Sequence, residues 1–372
     1  MKSHRKHLLS GLLLAGMLAL AGCGGSGGGG GQTDPNGPTP GSGTTFTTVD
    51  LQGVGGQFSV AVAINDAGLA VGYADGTNGL KGAEWNVGDS APAATLLQPL
   101  PGNNHSAAYG VNDFGIRVGE SEVGADTTDM ADDRTVAVFW SSGSTEATAL
   151  STVGLLEGGA SAALSINDDG LIVGEAAYDS IGNTVAVVWP NTSSDPVILS
   201  HLSADAEAFS SASFIGEDAV VVGESRNSDG QVQAAVWLPG PNGGYLDPTA
   251  LSVLSASQVA SAAYGRDEAG RMVGEAELAS GEVHGIIWNT DGSIAADLGS
   301  NTTAQAINST DILVGHAEVL SGNDQTAFWN ADYPSIEPNL GVPFSQAYGI
   351  NNYNQIVGLR EWTAFFALPV QP

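Results

Sequence analysis

Four glutamates at one repeated position are the residues whose spacing most suggests chemistry. Each follows directly after a Val-Gly pair; they are Glu120, Glu175, Glu224 and Glu275. If the chain forms a circle of repeats, equal positions lie on a circle, so these carboxylates would form an arc one strand out from the centre. Their oxygens are the hard ligands that calcium prefers. The arc is therefore a candidate site for calcium or a cationic ligand, and the alternative is a set of ordinary solvated carboxylates.

A second group of acids lies in the insert Glu122–Arg134. It contains Asp126, Asp129, Asp132 and Asp133. This insert is either a solvated acidic loop or a metal site that assists the arc of glutamates.

The tryptophans divide into a repeated set and one exception. Six of them each end a short apolar strand, and burying about 150–250 Å² apiece favours core packing. Trp362 lies instead beside Arg360 and Glu361 in a short loop. We therefore predict that Trp362 is exposed and able to contact a ligand.

Motifs for catalysis are not apparent. The sequence has no H-E-x-x-H and no G-x-S-x-G, and the Asn-Asp-x-Gly segments lack the ligand spacing of an EF-hand. A carboxylate pair could still serve glycoside hydrolysis, but no pair is singled out. We assign no catalytic residue and no cofactor other than possible calcium.

These residues belong to a repeat that occurs seven times. Its marker is the Val-Gly pair, with an Ala eleven residues and a Ser or Thr thirteen residues before the Gly. The glycines are Gly72, Gly119, Gly174, Gly223, Gly274, Gly315 and Gly358. A period of this length indicates a solenoid, a propeller or an array.

The third copy, Ser161–Trp189, shows what one repeat contains. Its first strand alternates small residues (Ser161, Ala163, Ser165) with larger ones, which suits a crowded place where sheets converge. A turn follows, then a second strand, a third strand that ends in Trp, and a short fourth. Four antiparallel strands per repeat are typical of a propeller blade. A β-helix would have shorter coils, and in a repeat built of α-helices the apolar residues would recur with a period of 3.6 residues.

The pattern I-N-D-x-G-x-x-V-G followed by a strand ending in Trp resembles the HAF-repeat family of bacterial extracellular proteins. The best matches are Ile64–Gly68, Ile166–Gly170 and His284–Trp288, whereas the fourth and fifth copies depart from the pattern. The resemblance covers nearly all of the chain after residue 45. It implies secretion and propeller-like repeats, and it supplies no activity or site residues.

The two ends of the repeat region complement each other. The last copy stops at its third strand, Thr363–Ala367, and a spare strand, Phe46–Leu51, precedes the first copy. We therefore predict an all-β fold over residues 46–369: a seven-bladed β-propeller of four-stranded antiparallel blades, closed by the N-terminal strand.

Residues 1–22 have the features of a lipoprotein signal peptide. Basic residues precede a short apolar core, and Leu20–Cys23 matches a bacterial lipobox. Cys23 is the single cysteine and the expected site of lipid attachment. Residues 23–45 then form a flexible Gly/Ser/Pro tether. We expect an anchored protein of the cell envelope, at the outer membrane or cell surface.

Charge restricts the partners. The chain has 10 basic and 40 acidic residues, a net charge of −30. Nucleic acid is excluded because phosphate binding needs a basic surface. We expect a monomer that acts as a binding or interaction module for a protein or glycan. The alternatives are a secreted carboxylate-based glycoside hydrolase and a structural envelope component.

Replacing the thiol tests the anchor. Because the acyl chains attach through sulfur, Cys23→Ser should leave an unprocessed precursor without lipid. Metabolic labelling with a radioactive fatty acid measures this directly. Normally lipidated, membrane-bound Cys23→Ser protein would contradict the lipobox interpretation.

Overall fold

The structure, a computed structural model, describes residues 46–54, 58–124, 134–179, 183–203, 209–319, 323–331, 339–343 and 345–369. The chain divides into two compact units, 1–43 and 44–372, and every described residue lies in the second. The predicted signal, Cys23, the tether and the four aspartates of the acidic insert lie outside the described residues. Within the described part, no helix is long and apolar enough to cross a membrane.

Strands form almost all of the regular structure. Up to residue 198 they are β1 (Phe46–Leu51), β2 (Ser59–Ile64), β3 (Leu69–Gly76), β4 (Gly79–Asn86), β5 (Thr95–Leu97), β6 (Ser106–Val111), β7 (Arg117–Val123), β8 (Arg134–Trp140), β9 (Thr148–Ala149), β10 (Ser161–Ile166), β11 (Ile172–Ala177), β12 (Thr184–Trp189) and β13 (Val197–Ile198). The later strands are β14 (Ser210–Ile215), β15 (Val221–Arg226), β16 (Val232–Trp237), β17 (Thr249–Ala250), β18 (Gln258–Arg266), β19 (Met272–Leu278), β20 (Val283–Trp288), β21 (Ile294–Ser300), β22 (Thr302–Ile307), β23 (Ile312–Val319), β24 (Asn323–Asn330), β25 (Asn339–Pro343), β26 (Ser345–Ile350), β27 (Ile356–Arg360) and β28 (Thr363–Pro369). A short 3₁₀ helix, Pro241–Gly243, is the one helical segment among the described residues.

Hydrogen bonds arrange the described strands in six sheets. Five have four antiparallel strands each, such as β2-β3-β4-β5, and the sixth has eight. The eight-stranded sheet forms because one parallel pairing, Val232 with Ala260, joins β16 to β18. The all-β propeller with four-stranded antiparallel blades is confirmed. Seven such blades are predicted, whereas five are separate four-stranded sheets and the fourth and fifth repeats share the eight-stranded sheet.

The first strands of the repeats form a closed circle. Each of β2, β6, β10, β14, β18, β22 and β26 contacts the next, and β26 contacts β2. The N-terminal strand β1 pairs antiparallel with β28, with Val49 opposite Phe366. This pairing is the one that the sequence predicts, and it gives the sheet of β26–β28 its fourth strand.

A hydroxyl group at or near the start of each first strand connects it to the preceding repeat. The backbone N–H of Ala137, in β8, donates to Ser161 Oγ at 3.0 Å. The equivalent acceptors are Ser59, Ser106, Ser210, Ser261, Thr302 and Ser345. At Ser59 the donor is Ala364 of β28, so the bond also joins the last repeat to the first. A buried N–H needs an acceptor, which explains why this position is always Ser or Thr.

The glycine of the Val-Gly pair is required by a close approach of two strands. The first strand has a bulge in each repeat, for example between Ala163 and Ser165. A Cβ atom on Gly174 would lie 2.0 Å from the carbonyl oxygen of Ala162, and the six equivalent glycines have the same contact at 1.8–2.0 Å. Any side chain at this position would clash with the neighbouring backbone.

The Asn-Asp-x-Gly segments are turns, as predicted, and they also join neighbouring repeats. In the second repeat Asn112 Oδ1 accepts the N–H of Ile116, while its Nδ2 donates to the carbonyl oxygen of Asn167 in the next repeat at 3.1 Å. The last repeat is joined to the first in the same way, since Asn351 Nδ2 donates to the carbonyl oxygen of Asn65 at 2.9 Å.

Core packing occurs between consecutive repeats. Val118 of the second repeat and Trp189 of the third, for example, belong to one apolar cluster. The six repeated tryptophans are at most 1 % exposed, which confirms their predicted role in the core. The indole N–H groups of the first five also donate to the chain segment that precedes their own repeat; for example, Trp189 Nε1 donates to the carbonyl oxygen of Ser151 at 2.8 Å.

The close approach of the first two strands at Gly174 predicts that adding one methyl group there destabilises the fold. Gly174→Ala should lower the free energy of unfolding by about 2–3 kcal/mol, because Cβ overlaps the carbonyl oxygen of Ala162. Gly244→Ala is the matched control, since its Cβ would meet nothing closer than 3.7 Å and its φ is −89°. Urea denaturation of both variants measures the difference; equal stabilities would contradict the steric explanation.

Candidate functional site

The candidate site is built around the residue that follows each Val-Gly pair, which we call the post-glycine position. It is occupied by Tyr73, Glu120, Glu175, Glu224, Glu275, His316 and Leu359. In each case the glycine pairs with the alanine of the first strand, so the post-glycine residue lies opposite the residue just before that alanine. In the third repeat Glu175 pairs with Ala162.

The glutamates at this position are much less exposed than the sequence suggests. Glu120, Glu175 and Glu224 are 4 %, 1 % and 7 % exposed, and Glu275 is half-buried. Glu120, Glu175 and Glu224 are therefore neither solvated carboxylates nor an arc of carboxylates that is open to the surface. The reason is that the strand does not end at the glutamate: β11 continues to Ala177, and the next repeat's first strand lies against it.

Hydroxyl groups lie beside these buried carboxylates. Tyr109 Oη donates to Glu120 Oε1 at 2.8 Å within the second repeat. Thr303 Oγ1, from the first strand of the sixth repeat, donates to Glu275 Oε2 at 3.1 Å. The glutamates therefore serve as polar partners between strands and between repeats.

Burial controls the titration of two of these carboxylates. It raises the pKa of Glu120 to about 7, although the hydrogen bond from Tyr109 opposes the rise. It also raises the pKa of Glu175 to about 7, with the Ser211 hydroxyl opposing the rise. Two tyrosines nearby are affected in the same direction. Burial, followed by the negative charge of Glu120, raises the pKa of Tyr73 and of Tyr109. Near neutral pH the pair is thus partly protonated.

Aromatic residues border this network on the side of the loops that join the second and third strands. Trp362 lies in the turn between β27 and β28 and is 49 % exposed. Its ring centroid is 6.2 Å from that of Phe58, which is in turn 6.0 Å from that of Tyr73. We call Phe58, Tyr73 and Trp362 the aromatic entrance.

The structure thus brings two separate sequence candidates into one neighbourhood. The ring of Trp362 lies beside that of Phe58, which lies beside that of Tyr73, and burial followed by the negative charge of Glu120 raises the pKa of Tyr73. Sequence reasoning missed Phe58, Tyr73 and Tyr109. Tyr73 could have been found, because it occupies the post-glycine position in the first repeat.

Metal ligands do not converge in the part of the chain that the structure describes. No three of its His, Cys, Asp or Glu side chains are grouped so that they could hold an ion. Glu120, Glu175, Glu224 and Glu275 therefore do not form a multidentate oxygen site with one another. The contribution proposed for Asp126, Asp129, Asp132 and Asp133 falls on residues outside the described part.

Solved structures with the same fold come from several kinds of protein. A prolyl endopeptidase matches with a TM-score of 0.56 and 9 % identity over 76 % of this chain. A prolyl oligopeptidase B from Galerina marginata matches with a TM-score of 0.52 and 7 % identity over 77 % of this chain. This chain covers 42 % of the length of each of the two peptidases. A streptogramin B lyase matches with a TM-score of 0.50 and 12 % identity, covering 87 % of this chain and 97 % of the lyase.

These similarities define the class of protein as a β-propeller. At identities of 7 to 12 % they show the fold alone. No family model matches the chain, and no curated protein matches it.

The buried carboxylates predict a pH dependence of stability. The pKa of Glu120 is about 7 in the folded chain against an ordinary value of 4.5, so folding favours the protonated form. The stability that this adds is complete below about pH 4.5 and is lost as pH rises through 7. Glu120→Gln should therefore raise the free energy of unfolding at pH 8 by about 3 kcal/mol, at 1.36 kcal/mol per pKa unit.

Glu157→Gln, at an exposed acid, is the matched control for this measurement. Urea unfolding at pH 5 and pH 8 should show a smaller pH effect in Glu120→Gln than in either the wild type or the control. The explanation is wrong if Glu120→Gln keeps the full wild-type difference between the two pH values.

Proposed function

We propose that this protein is a lipid-anchored binding module of the cell envelope. It is built as a seven-bladed propeller and contacts its ligand at the aromatic entrance. The anchor rests on the sequence pattern at Leu20–Cys23, and the ligand site rests on the geometry around Trp362. The Gly/Ser/Pro tether that the sequence predicts for residues 23–45 would let the folded body reach molecules outside the membrane.

Seven blades follow from treating the eight-stranded sheet as two. A single pairing, Val232 with Ala260, joins its halves, whereas strands within each half pair over several residues. The N–H of Ala234 donates to Ser261 Oγ, and this is the same bond that connects the other repeats across separate sheets. This supports equal roles for all seven repeats in one ring.

The observation that carries the ligand proposal is the exposure of Trp362. Every repeated tryptophan is at most 1 % exposed, while Trp362 presents 49 % of its surface on a support of aromatic rings. A large rigid aromatic residue loses little conformational entropy on binding and supplies a broad apolar contact. The flat faces of sugar rings and the apolar side chains of proteins both suit such a platform.

Glycoside hydrolysis is less well supported than binding. A pair of catalytic carboxylates must touch the sugar, and Glu120 and Glu175 are 4 % and 1 % exposed. Calcium binding by Glu120 and Glu175 is also less well supported, because carboxylates that retain protons near neutral pH are weak ligands for calcium.

Replacing the platform tests the proposal. Residues 44–372, produced without the anchor, are screened against a panel of polysaccharide fragments and secreted proteins. Trp362→Ala should weaken the interaction at least tenfold, in line with the loss of a buried aromatic contact. Since Trp362 is the exposed tryptophan of the described chain, a bound ligand should also protect wild-type fluorescence from acrylamide quenching.

Phe114→Ala is the matched control. Phe114 is 66 % exposed but lies in the turn between β6 and β7, at the opposite end of the second strands from Trp362. Its replacement should leave binding unchanged. Equal losses in the two variants, or none in Trp362→Ala, would refute the aromatic entrance as the ligand site.

A further inference from the structure

The outer edge of the third repeat has a short apolar strand that faces solvent. The strand β13 contains Val197 and Ile198, which are 38 % and 42 % exposed. It pairs with β12 on one side, and none of the described strands pairs with its other side. The fourth strands of the neighbouring repeats, β9 and β17, each read Thr-Ala. Exposed apolar residues at this edge are therefore a feature of the third repeat in particular.

The backbone of β13 offers hydrogen-bonding groups outward. The N–H of Leu199, the residue after β13, donates to the carbonyl oxygen of Ala186 in β12, the next strand inward, at 2.9 Å. Along a strand, successive residues direct their N–H and C=O groups to opposite sides. The N–H and C=O of Ile198 therefore point away from β12, where they can pair with an added strand.

A cavity lies on each face of this short strand. Ile198 lines a cavity of about 240 Å³, and Val197 lines one of about 120 Å³. The first is bounded by Leu155 and Leu156 of the loop after β9, with Tyr178 and Val185. The second is bounded by Val188, Pro239 and Tyr245, the last two from the fourth repeat. Adjacent residues of a strand point to opposite faces, which explains why each residue has its own cavity.

The chemistry of the two cavities is unusual for this protein. The chain has a net charge of −30, yet none of the described residues that line either cavity is charged. An occupant that presents uncharged, apolar side chains fits both, whereas an acidic one would lose hydration without gaining a partner. An exposed strand edge with apolar pockets on alternate faces is the arrangement that binds an extended peptide as an additional strand.

We propose that β13 is a docking edge for an extended segment of a partner protein. The segment adds as a strand outside β13, pairs with the N–H and C=O of Ile198, and places apolar side chains alternately in the two cavities. This site is separate from the aromatic entrance and does not depend on the function proposed for it.

The probes are acetylated heptapeptides with Lys-Thr at one end, Thr-Lys at the other and three central positions varied over Val, Ile, Leu and Thr. Fluorescence anisotropy of labelled peptides against residues 44–372 should find binders among those with apolar central residues. Methylating the central backbone nitrogen of a binder keeps its charge and should weaken binding at least tenfold. Binding that survives methylation would overturn strand addition, as would a panel with no binders.

Ile198→Pro is the direct variant, because proline removes the outward N–H and leaves the inward N–H of Leu199 in place. The matched controls are Ala149→Pro and Ala250→Pro, which occupy the same register in β9 and β17. We expect at least a tenfold loss of peptide affinity for Ile198→Pro and no change for either control. Equal affinities in all three variants would overturn the proposal.

A measurement on the wild type keeps the test decisive if Ile198→Pro fails to fold. Hydrogen exchange at the amide of Ile198 should slow on adding a binding peptide, whereas the amide of Ala149 should not change. No protection at Ile198 under saturating peptide would overturn the docking edge. Trp362→Ala should bind the peptide normally, so this result stands or fails independently of the aromatic entrance.

Discussion

The contact between each first strand and the preceding repeat is the constraint on which the rest of the structure depends. A serine or threonine hydroxyl at the start of the first strand accepts the N–H of the third strand one repeat back, from Ser59 to Ser345. The bond needs a small residue and a near approach, so the neighbouring alanine is small as well. The glycine of the Val-Gly pair is fixed by a second close approach, between the first and second strands of one repeat, where a Cβ atom would overlap a backbone carbonyl oxygen.

The close packing of strands near the centre also explains why some polar side chains are buried there. Because the strands near the centre lie close together, a residue one position beyond the glycine has a neighbouring strand beside it, whatever its chemistry. Leu359 and Tyr73 join an apolar cluster there, and Glu120 forms a hydrogen bond with Tyr109 instead. The cost of burying the carboxylate appears as its raised pKa, which links the stability of the ring to pH.

The surfaces that remain for binding are the parts of each repeat that do not hold the ring together. Trp362 lies in a turn, and β13 lies at the outer edge of its sheet. Both expose apolar groups on a strongly acidic molecule. The two differ in what they offer: Trp362 presents a ring supported by Phe58, and β13 presents backbone groups between two uncharged cavities. Under the two proposals, one fold carries two unlike binding surfaces on different repeats.

The local features of this protein could be predicted from its sequence. The alternation of small and large residues, the Asn-Asp-x-Gly turns, the strand-ending tryptophans and the spare strand Phe46–Leu51 are patterns within one repeat or at its ends. They depend on strand geometry that holds over a few residues, and the structure has the strands in the predicted places.

Tertiary structure decided what happens between repeats. The burial of Glu175, the bond from Asn112 to Asn167, and the joining of β16 to β18 each bring together residues from different strands or repeats. A periodic sequence shows that two positions are equivalent, but not which neighbouring strand covers them. The exposure and the pKa of a side chain depend on the strand that covers it, and the cavities beside β13 depend on the neighbouring repeats in the same way. Solvent access is a property of the assembled ring rather than of any one repeat.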